Sequence, residues 1–373
     1  MNIAIVCYPT FGGSGVLATE LGKALADMDH NVHFITYQQP VRLSGFNANI
    51  FYHEVRVPPY PLFDYPPYET ALASTMVDVI ANNNIQLLHV HYAIPHASAA
   101  YMAKQILQQQ GIHIPVITTL HGTDITLVGR DKTYSPVVTF SMNESDALTA
   151  VSQNLREETY KNFKITKDID VIYNFVDVKR FNRKPIDAFK KIISPHGEKI
   201  LLHASNFRKV KRVDDVVNIF LRVNKEIPSK LLFVGDGPER SAIEQLCRDS
   251  GSYDSIRFVG KQEQMEDILA VSDVFILPSE YESFGLSALE AMAARVPVIS
   301  SNAGGLPEIN VDGFSGFLSN VGDVDSMAHN ALKLLNNEKD YEGFKANALK
   351  QAMKFDINTI VPEYIKLYQR FIH

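Results

Sequence analysis

The sequence predicts an α/β protein built from two doubly wound parallel sheets, one in each half of the chain. Short β-rich runs alternate with helical segments in both halves, and 373 residues are long for a single hydrophobic core. We predict strands at 3–8, 32–37, 51–57, 87–92, 116–120 and 147–151 in the first half, and at 200–204, 231–234, 256–259, 274–277 and 298–301 in the second.

Composition excludes several classes of protein. The chain is 46% hydrophobic and 21% charged, as is ordinary for a globular protein, and its net charge of −6 does not support nucleic-acid binding. No apolar run reaches the roughly 20 residues that a membrane helix needs. Cys7 and Cys247 fit buried thiols in a reducing compartment, and the first residues lack the features of an export signal. We therefore expect a cytoplasmic protein without stable membrane association.

A boundary between two domains is predicted near Tyr173–Asp177, where a polar stretch follows that runs to about Lys199. This division gives a first domain at 1–174 and a second at 175–355. The last segment, 357–371, carries apolar residues at helical spacing and is predicted to be a helix.

An acidic loop between the predicted strand 274–277 and an Ala/Leu/Met-rich helix carries the strongest chemical signal. On one helix Glu282 and Glu290 would point in different directions, but with Glu282 in the loop both can line one cleft. We expect Ser283 to cap the helix and Gly285 to lie at its start, where free N–H groups suit an anion. The pattern suggests two hydroxyl-binding carboxylates beside a phosphate. On spacing alone, a capped surface helix with two solvated acids is the preferred interpretation.

A basic segment follows the first predicted strand of the second domain. It places four cations in five positions, at the strand end where open α/β sheets bind ligands, and Arg208 and Lys211 are spaced to contact a diphosphate. A solvated patch is the usual alternative. Two Asp-x-Asp triplets, 168–170 and 323–325, could hold a metal on a diphosphate, but we interpret both as turn or helix caps and expect no metal.

In the first domain, a glycine-rich loop at 8–15 precedes a helix predicted to begin near Val16. Glycines let a ligand approach the backbone, and the helix N-terminus favours an anion. The segment also matches a loose dinucleotide fingerprint, yet 37–39 lacks the acid expected after the second strand, so NAD is discounted. A plain tight turn explains the loop as well as a binding site does.

Histidines cluster after two further strands of the first domain. His89, His91 and His96 invite a zinc interpretation, but histidines bonded to backbone at a strand end are the preferred one. Tyr92 is expected to point into the cleft and donate a hydrogen bond. His121 could contact a sugar hydroxyl or stabilise positive charge through its backbone. Arg130 could grip a carboxylate or be a solvated loop residue.

The segment from Glu282 to Glu290, with Phe284-Gly285-Leu286 inside it and 297–299 after it, resembles the donor-site signature of retaining glycosyltransferases of family 4. The resemblance implies the GT-B fold, in which two Rossmann-like domains face each other across a cleft and a C-terminal helix, here 356–373, returns to the first domain. One departure is Arg295, where family members usually carry glycine, which places a side chain at a position that is commonly left-handed.

Motifs at 7–9, 89–96, 120–126 and 205–212 also resemble the N-acetylglucosaminyl L-malate synthases of bacillithiol biosynthesis within this family, over essentially the whole chain. The likeness implies UDP-N-acetylglucosamine as donor and L-malate as acceptor, joined with retention as an α-glycoside. It implies an acceptor-binding first domain, a donor-binding second domain, and no cofactor or metal. A homodimer is left open.

The resemblance also implies residue roles. Catalytic roles fall to Arg208, Lys211, Glu282 and His121. Acceptor binding falls to Ser14, Tyr92, Thr119, His121 and Arg130. Donor binding falls to Gly13, Asn206, Arg208, Lys211, Val259, Gly260, Glu282, Ser283, Phe284, Gly285, Leu286 and Glu290.

Three alternatives stay open from the sequence. The first is a family-4 transferase with another acceptor, the second is a UDP-sugar 2-epimerase on the same architecture, and the third is a two-lobed sugar-binding protein without enzymatic activity.

Overall fold

The computed structural model describes residues 1–59, 61 and 64–372, which form two compact units. The first unit comprises Met1–Asn174 and Ile360–His373, and the second comprises Phe175–Thr359. In the described part of the chain, no helix is both long enough and apolar enough to cross a membrane.

The first unit contains a seven-stranded parallel sheet of order β3-β2-β1-β4-β5-β6-β7. Its strands are β1 (Asn2–Val6), β2 (Asn31–Thr36), β3 (Ile50–Glu54), β4 (Leu87–His91), β5 (Val116–Leu120), β6 (Ala147–Ala150) and β7 (Ile169–Val171). Its first helices are α1 (Gly13–Asp27), α2 (Tyr68–Asn82), α3 (Ser98–Gln109), α4 (Ser135–Glu144) and α5 (Gln153–Asn162). The central strands β4 and β5 are buried along their whole length, because helices cover both faces of such a sheet.

The second unit contains a six-stranded parallel sheet of order β10-β9-β8-β11-β12-β13. Its strands are β8 (Lys199–Ser205), β9 (Ser229–Gly235), β10 (Ile256–Phe258), β11 (Val274–Leu277), β12 (Val298–Ser301) and β13 (Gly316–Ser319). The helices that follow α5 are α6 (Val178–Phe181), α7 (Asp187–Ile193), α8 (Val213–Glu226), α9 (Arg240–Asp249), α10 (Glu266–Val271), α11 (Leu286–Ala293), α12 (Leu306–Ile309), α13 (Val324–Leu335), α14 (Glu338–Ala352) and α15 (Ile357–Gln369).

The α/β prediction is confirmed, and each predicted strand is present with its ends shifted by a few residues. The predictions missed two short edge strands, β7 and β13. Asp170 lies inside β7 and pairs with Arg370 at 2.7 Å, so its interpretation as a cap is wrong. Asp323 does cap a helix, since its carboxylate accepts the N–H of Ser326 at the start of α13.

Two helices begin at residues other than those predicted. Helix α1 begins at Gly13, three residues before the predicted Val16. The residue that caps α11 is Gly285 in a left-handed conformation, φ 96°, and not Ser283. A Cβ at Gly285 would lie 2.6 Å from Leu306 Cδ2, so both backbone conformation and space require glycine there.

The C-terminal end of α11 has the conformation expected from the sequence. Arg295 is left-handed, φ 64°. Its N–H bonds to Met292 C=O at 3.0 Å and the N–H of Val296 bonds to Ala291 C=O at 2.9 Å. This is a Schellman motif whose usual glycine is replaced by arginine.

In each sheet the strand order reverses once, between β1 and β4 in the first unit and between β8 and β11 in the second. Loops that leave neighbouring strands toward opposite faces open a crevice at the carboxyl ends of those strands, where α/β sheets bind ligands. The four loops at these points are 7–12, 92–97, 206–212 and 278–285, and they carry about half of the predicted site residues.

Candidate active site

Lys211 and Glu282 form an ion pair at the reversal point of the second unit. Their Nζ and Oε1 atoms are 2.6 Å apart, and the side chains are 18% and 12% exposed. The N–H of Glu280 also donates to the carbonyl of Val210 at 2.8 Å, which joins the basic loop to the acidic loop. The structure therefore brings together two residues that are 71 positions apart in the sequence.

Behind this pair lies a buried polar layer. Ser279 donates from Oγ to Glu282 Oε1 at 3.0 Å. Below the pair, His203 is buried, with Nδ1 2.8 Å from Ile276 C=O and Nε2 2.8 Å from Ser205 Oγ. Burial, with a smaller contribution from the charge of Lys211, lowers the pKa of His203 to about 4, although the bond to Ile276 C=O and the charge of Glu282 act to raise it. The imidazole is therefore neutral at pH 7 and adds no charge to the site.

Glu290 and Phe284 are both buried parts of the acidic loop and its helix. Glu290 is 8% exposed, and Phe284 packs edge-on against Phe355 with ring centroids 5.6 Å apart. The loop between β12 and α12 packs closely against the backbone of Glu282, because a Cβ at Gly304 would lie 2.0 Å from the carbonyl oxygen of Glu282. Gly305 in turn donates its N–H to that same oxygen at 2.8 Å. The backbone around Glu282 is thus held from two sides.

Asn206 and Arg208 lie in the loop after β8, and both are exposed. Arg208 immediately precedes a helical turn, Lys209–Lys211, and its carbonyl accepts the N–H of Lys211 at 2.8 Å. A Cβ at Gly237 would lie 2.2 Å from the carbonyl oxygen of Asn206, so the next strand end packs directly beneath. The loop keeps Arg208 and Asn206 at the surface while Lys211 turns inward.

Val259 and Gly260 follow β10 at one side of the sheet. Val259 donates its N–H to Phe233 C=O at 2.9 Å, and its carbonyl accepts from Gln262 Nε2 at 2.6 Å. The carbonyl of Gly260 accepts the N–H of Gly235 at 2.8 Å. Three of the four backbone groups of these two residues therefore have hydrogen-bond partners within the unit. The predicted contact with a nucleobase edge then rests on the backbone N–H of Gly260.

In the first unit, Ser14 and Tyr92 meet at the reversal point. Tyr92 donates from its hydroxyl to Ser14 Oγ at 2.8 Å. Ser14 lies in the first turn of α1, whose cap is Gly12 and therefore supplies no side-chain acceptor to the turn's N–H groups. A Cβ at Gly15 would lie 2.4 Å from the carbonyl oxygen of Tyr8, which explains this glycine. Exposed Gly13 begins the same turn.

The histidines of the first unit are bonded to one another and to hydroxyl groups. His89 has Tyr368 Oη at Nδ1 and Thr119 Oγ1 at Nε2, each 2.7 Å away. His91 Nδ1 lies 2.8 Å from His121 Nε2. His96 donates to the carbonyl of His91. The zinc alternative has no support here, since the described residues contain no group of three or more His, Cys, Asp or Glu that could hold a metal ion.

All four imidazoles are neutral at pH 7. Burial lowers the pKa of His89 and His121 to about 3 and that of His96 to about 4, and it holds the pKa of His91 well below its usual value. Neutral rings accept and donate hydrogen bonds without charge. His121 therefore contributes orientation and polarity, and no cationic charge, to any ligand bound beside it.

Two predicted acceptor residues, Thr119 and Arg130, have surroundings that the sequence did not predict. Thr119 is fully buried, and its Oγ1 is shared between His89 and Thr149, the latter 2.6 Å away. Arg130 is exposed and pairs with Glu158 at 2.5 Å. Thr119 thus holds His89 in place, and Arg130 has a carboxylate partner, Glu158, within the first unit.

Sequence reasoning missed two residues that support the site. Ser279 bonds to Glu282, and its only sequence signal is its position two residues after the buried strand β11. Asp124 is 2% exposed and accepts backbone N–H groups from two loops. An aspartate four residues after β5 resembles any turn residue until the fold shows that it faces inward.

The two sets of residues suit different ligands. The second unit offers cations at Arg208 and Lys211, helix N–H groups at α11 and carboxylates for hydroxyl groups, as a sugar diphosphate requires. The first unit offers hydroxyl groups, neutral imidazoles and a helix N-terminus, as a small anion or hydroxylated molecule requires.

Comparison with known proteins identifies the family. The profile described as "Glycosyltransferase Family 4" matches residues 11–180, and "Glycosyl transferases group 1" matches 186–351. The N-acetyl-alpha-D-glucosaminyl L-malate synthase of Bacillus anthracis is 46% identical over 370 residues, which cover 99% of this chain and 96% of that protein. The chain belongs to glycosyltransferase family 4.

More distant relatives agree with this assignment and with the fold of this family-4 glycosyltransferase. An uncharacterized glycosyltransferase of Methanocaldococcus jannaschii is 26% identical over 98% of this chain and 96% of its own length. Sucrose-phosphate synthase from Thermosynechococcus elongatus superposes with a TM-score of 0.83 at 21% identity, covering 99% of this chain and 98% of that one. Anabaena HepE in complex with UDP and glucose gives 0.83 at 18% identity, covering 99% of both chains. The GT-B prediction of two Rossmann-like domains is confirmed.

The buried histidine beneath the ion pair makes folding of this glycosyltransferase sensitive to pH. Because the folded-state pKa of His203 is about 4 and its ordinary value is 6.5, the unfolded chain binds a proton between these values that the folded chain does not. Stability therefore falls as pH falls through 6.5. The free energy of unfolding falls between pH 7 and pH 5, and we expect this fall to be about 2 kcal/mol smaller in His203→Gln than in the parent.

Urea denaturation at both pH values measures this difference, and His196→Gln serves as an exposed-histidine control with the slope of the parent. An equal fall in the parent and in His203→Gln would mean that the buried imidazole takes up its proton in the folded state.

Proposed function

We propose that this enzyme transfers N-acetylglucosamine from UDP-N-acetylglucosamine to the hydroxyl of L-malate with retention, the first step of bacillithiol biosynthesis. The observation that carries the proposal is the 46% identity to the Bacillus anthracis synthase over 99% of the chain. The charge pattern supports it, since cations and helix N–H groups in the second unit suit a nucleoside diphosphate.

The donor is held by the second unit. Arg208 and Lys211 neutralise the diphosphate, and the backbone of 284–286 and the carboxylate of Glu282 hold the sugar. Glu290, a buried residue of α11, binds the ribose hydroxyls, and the backbone N–H of Gly260 contacts the base. The predicted donor residues Asn206 and Ser283 complete the surface of this crevice.

The acceptor is held by the first unit. Ser14 and Tyr92, bonded to each other, face its hydroxyl and one carboxylate, and His121 lies beside Tyr92 with ring centroids 5.2 Å apart. Arg130 releases Glu158 to grip the second carboxylate bidentately. Thr119 acts through His89 and does not touch the acceptor.

The transfer needs no protein nucleophile. The bond between C1 of the sugar and the phosphate oxygen breaks, the malate oxygen bonds to C1 on the same face, and the departing phosphate oxygen takes the hydroxyl proton. Lys211 and Arg208 stabilise the charge that develops on the leaving diphosphate, so catalysis rests on orientation and electrostatics. No metal ion or other cofactor is part of the proposal.

Incubation with UDP-N-acetylglucosamine and L-malate tests the function directly. We expect mass spectrometry to find one product whose mass equals N-acetylglucosamine plus malate less water, with release of one UDP per product. Turnover of the donor without malate would instead favour an epimerase or a hydrolase. A panel of other hydroxy acids and sugars serves as the control. A compound in that panel that is a better acceptor than L-malate would overturn the assignment of malate as the acceptor.

Lys211→Ala removes a cation that is aimed at the leaving group. We expect kcat to fall on the order of 100-fold or more, because a preorganised charge that acts mainly on the transition state is lost. UDP release measures the rate, and a thermal melt confirms folding. Lys209→Ala, an exposed neighbour in the same helical turn, is the matched control. Near-parent turnover by Lys211→Ala would remove Lys211 from the catalytic residues.

Arg130→Ala tests the acceptor half. We expect malate to lose its thermal protection of this variant while UDP still protects it, since the lost guanidinium would bind a carboxylate of malate only. Arg56→Ala is a matched control, because Arg56 is also an exposed arginine of the first unit paired with a glutamate, Glu54. Equal malate protection of the parent and of Arg130→Ala would show that Arg130 lies outside the acceptor site.

A further inference from the structure

Asp124 has an unusual set of partners for a buried carboxylate. It is 2% exposed, its Oδ2 accepts the N–H of Ala93 at 3.0 Å and its Oδ1 accepts the N–H of Gly122 at 3.0 Å. The backbone N–H groups of His121 and of Asp124 itself also face it. The carboxylate thereby connects the loop after β4 to the loop after β5.

Both connected loops contain a strained or restricted residue beside their contact with Asp124. Tyr92, directly before Ala93, has φ 87° and ψ 139°, a region that costs a non-glycine residue roughly 1–3 kcal/mol. Gly122 has φ 112° and ψ −48°. Such conformations persist only where the surroundings hold them, and the hydrogen bonds to Asp124 do so at both loops.

A buried anion that is held by neutral dipoles is a costly means of stabilising a fold. The pKa of Asp124 reflects that cost, since burial raises it to about 6 although backbone N–H groups pull it down. Groups of this kind are enriched where geometry serves a reaction.

The side chains that flank these contacts belong to the proposed acceptor site. Tyr92 and His121 precede Ala93 and Gly122 by one residue each, and their rings lie 5.2 Å apart at 39°. Tyr92 directs its hydroxyl to Ser14, and His121 directs Nε2 to His91. A change in the spacing of the two loops would therefore move both side chains.

We propose that Asp124 is a positioning residue for the acceptor: it binds the two loops together and so sets the distance and angle between Tyr92 and His121. The inference rests on the proposed function, because these two side chains are its acceptor contacts. Asp124 itself touches no substrate in this scheme.

Asp124→Asn tests the inference with little change in volume. The amide keeps one acceptor oxygen but turns an NH₂ group toward backbone N–H donors, so the connection between the loops loosens. We expect KM for malate to rise and kcat to fall by roughly 10–100-fold, the range seen when a residue that orients a binding group is removed. KM for UDP-N-acetylglucosamine should stay within about twofold, because the proposed donor residues other than Gly13 lie in the second unit.

Asp146→Asn is the matched control. Asp146 also accepts a backbone N–H, from Val116 at 2.7 Å, but at the opposite end of β5, where it pairs with Lys104. The variant should lower the melting temperature and leave both KM values and kcat near those of the parent. If Asp124→Asn, folded at the assay temperature, behaves like Asp146→Asn, Asp124 is merely structural and the inference is overturned.

The parent enzyme separates failure of this inference from failure of the proposed function. No malate product from the parent would sink the proposed function, and the positioning role would fall with it. Malate turnover by the parent with a normal KM in Asp124→Asn would sink the positioning role alone.

A crystal structure of the parent with L-malate bound tests the inference even if Asp124→Asn does not fold. We expect Tyr92 and His121 to contact malate while Ala93 and Gly122 keep their bonds to Asp124. Bound malate with either of these two bonds broken would overturn the inference.

Discussion

The donor half depends on the reversal of strand order between β8 and β11. β8 and β11 are neighbouring strands whose helices lie on opposite faces of the sheet. The basic loop and the acidic loop therefore begin side by side at the carboxyl ends of these two strands. The bond from Glu280 N–H to Val210 C=O and the ion pair between Lys211 and Glu282 follow from that meeting. The first unit repeats the arrangement at β1 and β4, where Tyr92 meets Ser14.

The two units handle charge in opposite ways. The second unit keeps charged groups at the crevice and places a neutral imidazole, His203, beneath them. At the ends of β4 and β5 the first unit buries four imidazoles whose lowered pKa values leave them uncharged, so they cannot neutralise a dianion. In the proposed function, an anionic acceptor therefore relies on hydroxyl groups, on the first turn of α1 and on Arg130.

Periodic apolar runs predicted the central strands well, because a strand buried on both faces must be apolar along its length. Two of the four edge strands were not predicted: β7 contains Asp170, and β13 follows a stretch rich in turn residues. The types of residue at the strand ends predicted that the loops with Lys211 and Glu282 bind a ligand. The identity of the predicted substrates came from the family resemblance. The pairing of Lys211 with Glu282, the burial of Thr119 and the partner of Arg130 were beyond reach, since each depends on contacts between residues that are distant in sequence.

The hydroxyl of Tyr368 on α15 bonds to His89, which lies against Thr119 in the interior of the first unit. Helix α15 therefore forms a hydrogen bond in the polar interior of the first unit. The other segment of that unit, Met1–Asn174, precedes the second unit in the chain. During synthesis on a ribosome, His89 lacks its partner Tyr368 until α15 has been made. The hydrogen-bonded interior of the first unit is therefore completed only after the second unit has been made.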